Sequence, residues 1–207
     1  MLAYKFRSPS QIAFALDIMF NNRLYCADWS RLNDPMEGAF GYSHNSTSEI
    51  DRSTFVEEVQ LEKSRIKICS LSKTFDCHLL WAHYADGFSG MAIEVELSDK
   101  SPMVKEVTYG GVFGYLDLAN PQTPSDEARN ILSSKYSAWA YEREVRIICN
   151  QEWFQLERPV RRIICGHRMN QSLFKALRIV CDHKEIEIYR TGIGDEGIDA
   201  DPVPALT

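Results

Sequence analysis

From Lys135 to Arg146 the chain reads Lys-Tyr-Ser-Ala-Trp-Ala-Tyr-Glu-Arg-Glu-Val-Arg, then runs on into the apolar strand signal Val145-Arg146-Ile147-Ile148-Cys149. Alternate residues of a strand share a face, so Glu142, Glu144 and Arg146 are expected to project together. Two acids and an arginine on one face are costly to bury unless the charges meet one another or line a polar cleft. The fold must therefore build a cleft or an ion network at this point. A bulge would exchange the faces of Glu142 and Glu144, so alternation alone does not rank them.

A chain of 207 residues, 44% hydrophobic, can bury one substantial core. No linker divides it, so a single domain over residues 1–207 is expected, with the last ~15 residues as a flexible tail. The net charge of −6 argues against broad non-specific binding to nucleic acid. Arg158, Arg161 and Arg162 form the only tight basic group, and a solvated edge explains them. No stretch approaches the ~20 apolar residues of a membrane span. The start, Met-Leu-Ala-Tyr-Lys-Phe-Arg, lacks the apolar core of a signal peptide. Cys69, Cys149 and Cys165 lie in apolar strand-like runs, where free Cys behaves as a small buried hydrophobe. A cytoplasmic protein with reduced thiols and no membrane partner is the expectation.

Strands are predicted over Ala3–Arg7, Arg23–Ala27, Ile66–Leu71, Met91–Leu97, Val104–Tyr109, 145–149, Val160–Cys165 and Glu185–Tyr189. Helices are predicted from Ser8-Pro9 to Asn21-Asn22, over Ser53–Lys63, from a cap at Asp76 through Ala85, over Ser125–Ala138 and over Gln171–Val180. Residues 40–50 read as loop. Strands alternating irregularly with a few helices give an α+β fold, with mixed or antiparallel sheets and several peripheral helices.

Two further segments carry chemistry. In Leu32-Asn33-Asp34-Pro35-Met36-Glu37-Gly38 the Asn and Asp can bond their own backbone while Pro fixes the chain. It is either a structural corner or the rim of a cleft presenting Asp34 or Glu37. In Leu80-Trp81-Ala82-His83-Tyr84-Ala85-Asp86-Gly87 the rings of Trp81 and Tyr84 could stack on a base or a nicotinamide. His83 could exchange a proton near neutral pH, or be a packed, hydrogen-bonded residue.

Other signals fail on context. Gly192-Ile-Gly194-Asp-Glu-Gly197 has the spacing of a dinucleotide fingerprint and follows a strand, but no helix follows it, and Asp195 and Glu196 would repel a pyrophosphate. Cys165-Gly-His167 and Cys181-Asp-His183 fit no common zinc module, so no metal site is assigned.

In order along the chain, five segments resemble a bacterial family catalogued as domain of unknown function 2971. They are Tyr4-Lys5-Phe6-Arg7, Leu32 to Glu37, Cys69-Ser70-Leu71-Ser72, Trp81 to Gly90, and Lys135 to Arg146. Met36 stands where that family commonly has Phe, and Val145 where it commonly has Trp. A weaker resemblance is to ADP-ribosyltransferase folds, in the order Arg7, a helix from Pro9, Tyr25 or Ser70/Ser72, then Glu142-x-Glu144. That second resemblance implies NAD as a substrate rather than a permanently bound cofactor. Arg7 would contact an NAD phosphate, and Tyr25 or Tyr84 would stack on nicotinamide. Glu144 would stabilise the oxocarbenium character at the ribose.

The leading expectation is an enzyme that transfers ADP-ribose to a nucleic-acid or protein acceptor, in a toxin or antiphage setting. Its catalytic residues would be Glu144, Glu142 and His83, with Arg7, Tyr25, Trp81, Tyr84, Arg146, Asn33 and Asp34 binding substrate. One rival is a non-catalytic module binding a nucleotide or nucleic acid. The other is a nucleic-acid hydrolase with a metal held by Asp34, Glu37 and Glu142 or Glu144.

Overall fold

A computed structural model describes residues 1–42 and 52–203. Alternation in Leu-Ala-Tyr-Lys-Phe-Arg forms the opening strand, β1 (Leu2–Arg7). Its Tyr4 and Phe6 face one side of the sheet; Ala3, Lys5 and Arg7 face the other. A 3-10 turn over Pro9–Gln11 leads into α1 (Ile12–Asn21), which buries Ala15, Ile18 and Met19. Asn22, left-handed at φ 50°, ends the helix by donating its N–H to Ile18 O.

The strand expected over Arg23–Ala27 is broken at Cys26 into β2 (Arg23–Tyr25) and β3 (Ala27–Asp28). A short β4 (Phe40–Tyr42) opens the segment expected as loop, whose remainder lies outside the described residues. Then come α2 (Arg52–Arg65), β5 (Lys67–Ser72), α3 (His78–Tyr84) and β6 (Met91–Glu96), close to expectation. Asp76 does not cap α3; its carboxylate accepts from the Ile198 N–H at 2.9 Å, and Cys77 stands at the cap position.

The strand expected over Val104–Tyr109 divides into β7 (Val104–Glu106) and β8 (Thr108–Gly110), and β9 (Gly114–Leu116) follows. The helix expected over Ser125–Ala138 is corrected. α4 (Pro124–Leu132), capped by Thr123, stops early, and Ser134–Tyr136 form β10 beside β8. A 3-10 turn over Ser137–Glu142 then leads to β11 (Glu144–Cys149), with Arg143 left-handed at the junction. Glu142 therefore precedes the strand rather than sharing its face.

The chain finishes with β12 (Trp153–Gln155), β13 (Arg162–Cys165), α5 (Gln171–His183), β14 (Glu187–Gly194) and β15 (Gly197–Pro202). The last two form a hairpin, so the expected tail is corrected to an ordered sheet edge as far as Pro202. The Gly192–Gly197 run is that hairpin's turn region, followed by a strand.

The main sheet has the order β15-β14-β13-β6-β1-β5-β11-β7, with β3 also on β5. β13 and β14 run parallel and the other pairs antiparallel, so the α+β reading with mixed sheets holds. α1 and α5 cover one face over Ala3, Ile93, Ile147 and Ile163. The opposite face carries two separate cores. One joins α2 and α4 to Ile68 and Ile148; the other joins α3 to Tyr4, Phe6 and Ile164. Among the described residues no helix is long and apolar enough to cross a membrane.

One irregularity in the sheet makes the cleft. β1 pairs with β6 along its whole length, from Leu2↔Glu96 to Arg7↔Met91. With β5 it pairs only at Tyr4↔Ser72. Beyond that point β1 diverges and β3 takes its place, at Ala27↔Ile68 and Asp28↔Lys67. The sheet is split between β1 and β5.

Candidate functional site

The split opens into a cavity of about 470 Å³, within the usual range of small-molecule sites, roughly 300–1,000 Å³. Of the residues expected to bind or react, Arg7, Tyr25, Asn33, His83, Tyr84, Glu142 and Glu144 line it. Trp81, Arg146 and Asp34 do not, for three different reasons.

Trp81 is wholly buried behind α3. Phe88 stacks on it at 5.1 Å, Phe6 meets it edge-on at 5.3 Å, and its Nε1 donates to Phe75 O at 2.7 Å. It is a core residue with its polar atom satisfied, so no ligand reaches it. Asp34 accepts from the Met36 N–H at 2.9 Å, which is the structural-corner role of an Asx turn. Arg146, 0% exposed, lies behind Glu144 and serves the cleft only through it.

The carboxylate end is a closed network. Lys135 Nζ donates to Glu142 Oε2 at 2.5 Å and Glu144 Oε2 at 3.0 Å, and pairs with Glu37 Oε1 at 3.1 Å. Arg146 donates from Nε to Glu144 Oε1 at 2.7 Å, from Nη2 to Glu37 Oε2 at 2.7 Å, and from Nη1 to Leu132 O at 2.6 Å. Tyr84 donates its hydroxyl to Glu142 Oε1 at 2.6 Å. The backbone is fixed as well: Ser72 Oγ donates to Glu142 O, and the Glu144 N–H donates to the Tyr109 hydroxyl.

Burial raises the Glu144 pKa, but Arg146 and Lys135 outweigh it and hold the carboxyl down at about 2. Burial likewise opposes the Lys135 charge, and Glu144, Glu37 and Glu142 together push its pKa well above the usual lysine range. Three carboxylates face two cations here. The excess falls on Glu37, which burial pushes above the ordinary carboxylate range despite Arg146 and Lys135. The Lys135 ammonium sits at the centre of the carboxylates, where a divalent metal bound by Glu37, Glu142 and Glu144 would have to be.

The other end is cationic and open. Arg7, reached through the split, lies over the Phe14 ring at 5.5 Å, and its buried Nε has no hydrogen-bond partner among the described residues. Neither does Ser70 Oγ, although it is close enough to Glu144 to help hold that carboxylate ionised. Lys5 Nζ donates to Ser70 O, at 2.6 Å, covering a carbonyl that the divergence of β1 leaves free. Burial pushes both cations' pKa values down.

Tyr25 is held between Phe14 at 5.6 Å and Trp153 at 5.2 Å and lines the cavity. His83 is exposed at the mouth, with Tyr84 and Trp139 beside it at 6.1 and 6.4 Å. The basic group at Arg158 and Arg162 lies elsewhere and is neutralised by Glu96 and Glu94.

Sequence reasoning placed Lys5 and Lys135 in motifs without giving them a binding or catalytic role, and gave Glu37 one only at the cleft rim or as a metal ligand. For Lys135 a signal existed, since it is seven residues from Glu142 and nine from Glu144. A comparison with family models, curated proteins and solved structures finds no match to the chain.

Proposed function

We propose that the cleft binds NAD and cleaves it, in an enzyme of the ADP-ribosyltransferase type. The observation that carries this reading is the split sheet, with a guanidinium whose buried Nε has no partner among the described residues on one side and a fixed, ionised carboxylate on the other. A ligand that uses both must be elongated, anionic at one end and developing positive charge at the other. NAD meets that description as its glycosidic bond breaks.

Arg7 and Lys5 would take the diphosphate, by charge and by the free donor at Nε. Tyr25 or Tyr84 would flank the nicotinamide. As that bond breaks, its electron pair leaves with nicotinamide and C1′ of the ribose becomes cationic. Glu144, kept ionised by Arg146 and Lys135, would stabilise that charge without reorganising. Glu142 and Tyr84 would orient the sugar, and His83 at the mouth would take the proton of the acceptor. The acceptor is a nucleic acid or a protein, and the setting that of a bacterial toxin or antiphage protein in the cytoplasm.

The second reading is a nucleotide-binding module without chemistry. It is favoured by the saturation of Glu142 and Glu144, whose oxygens already accept from Lys135, Arg146 and Tyr84. Nicotinamide release from NAD separates the two. The enzyme reading expects release by the wild type, and its loss in Glu144→Gln at a temperature where both proteins are folded. Binding of NAD with no release, with or without nucleic acid or cell extract, supports the module.

A further inference from the structure

The cavity is lined from both faces of the sheet. Glu144 is opposite Ser72, and Ser72 is opposite Tyr4, so Glu144 shares the Tyr4 face. Lys5 and Arg7 alternate to the other face, with Ala3. The helices agree with this division. α3 packs on the Tyr4 face and contributes Leu80, His83 and Tyr84 to the lining, whereas α1 packs on the Ala3 face and contributes Phe14. A single cavity with both linings passes through the sheet, and the gap between β1 and β5 is where it passes. The gap begins beside a paired position, Tyr4↔Ser72, and just beyond it the Lys5 side chain takes Ser70 O at 2.6 Å. Such a tapered opening suits a chain-like linker, and the ring systems of a ligand that passes through it lie on either side.

On the α1 side the lining is aromatic and cationic. The Phe14 ring, 40% exposed, meets Tyr25 at 5.6 Å and 41°, and the Arg7 guanidinium lies over it at 5.5 Å. Trp153 backs Tyr25 at 5.2 Å. An exposed phenylalanine alone is ordinary. This one belongs to a cavity, with a second ring beside it and with the buried Arg7 Nε that has no partner among the described residues. The two rings already touch, so a planar base stacks against the pair and does not enter between them. A phosphate held by Arg7 sets the base attached to it within reach of that surface.

We propose that the ligand threads the split sheet, with a purine ring against Phe14 and Tyr25 on the α1 side and its diphosphate at Arg7 in the gap. Its reacting end then lies at Glu144 on the α3 side. The inference rests on the reading that the cleft takes NAD, and not on whether the cleft cleaves it. It assigns Tyr25 to adenine and leaves Tyr84, whose hydroxyl is fixed on Glu142, to nicotinamide. The group recognised on the α1 side is thus an adenosine diphosphate, alone or as part of a dinucleotide.

The test is calorimetric titration of ADP, NAD and nicotinamide mononucleotide into the wild type, Phe14→Leu and Phe14→Tyr, with thermal unfolding of each protein. Phe14→Leu keeps apolar bulk without a ring, and at an exposed site all three proteins should unfold at similar midpoints. ADP and NAD should bind the wild type, bind Phe14→Leu about tenfold more weakly, and regain affinity in Phe14→Tyr. Nicotinamide mononucleotide, which has no purine, should show no loss in Phe14→Leu. ADP binding weakened by Phe14→Leu, with no binding of NAD, would uphold the purine subsite and sink the NAD reading. NAD binding unchanged in Phe14→Leu would leave the NAD reading standing and overturn the threaded arrangement, as would a loss confined to nicotinamide mononucleotide. Binding of neither ADP nor NAD by the folded wild type would overturn both.

Discussion

The two ends of the cleft hold buried charge in opposite ways. At the carboxylate end Glu37, Glu142 and Glu144 are matched by Lys135 and Arg146 at 2.5–3.1 Å, and Tyr84 supplies a further donor. At the cationic end Arg7 keeps a buried Nε without a partner among the described residues, and Lys5 donates to a backbone carbonyl. A satisfied network fixes geometry and has little left to offer a ligand. An unsatisfied buried donor is a standing cost to stability, and a ligand is what relieves it. The carboxylate end is thus a rigid frame, and the cationic end is where binding energy is to be gained.

The contrast is broken most strongly at Arg146. Arg146→Met would leave Glu37 and Glu144 buried with Lys135 alone, and should destabilise the fold by about 3–5 kcal/mol. Chemical denaturation measures it, and a loss under about 1 kcal/mol would mean that the network is wet and loosely held.

Acid should reach the same end next. The Glu144 pKa is depressed on folding, so its contribution is fully present above the unfolded value near 4.5 and is lost as pH falls through about 2. That corresponds to about 3 kcal/mol, and the fall should be clearly smaller in Glu144→Gln. Glu37 has the opposite sign, because its raised pKa makes the fold relatively less stable as pH rises through it. A Glu37→Gln variant should therefore lose less stability at pH 7 than Glu144→Gln does.

The smallest effect on stability is expected at the open end. Arg7→Met removes a half-buried guanidinium whose Nε has no partner among the described residues, and should leave stability unchanged or raise it by up to about 1 kcal/mol. An unfolding midpoint several degrees lower would show that Arg7 has a structural partner after all.

Much of the frame was legible in the sequence. Alternation alone places Glu144 and Arg146 on one face, and the Nε–Oε1 distance of 2.7 Å follows from it. The same reasoning misplaces Glu142, because Arg143 turns left-handed and separates it from the strand. It also hides Lys135, since good helix formers from Ser125 to Ala138 conceal the exit of the chain into β10. Glu37 reaches Arg146 across 109 residues, a distance over which no local pattern speaks. Trp81 misleads for a simpler reason: an aromatic beside a histidine has the same letters in a core as in a cleft. The split between β1 and β5 is a matter of strand order, and no periodicity in Tyr4–Arg7 announces that the pairing with β5 stops after Tyr4.

On the proposed reading the cationic end binds an anionic ligand for which the carboxylate end is the frame. Calorimetric titration of NAD into the wild type and into Arg7→Met, with thermal unfolding of both, tests it most directly. The prediction is binding by the wild type, at least tenfold weaker binding by Arg7→Met, and an unfolding midpoint no lower in the variant. Equal affinity in the two proteins, or no binding by a folded wild type, would contradict it.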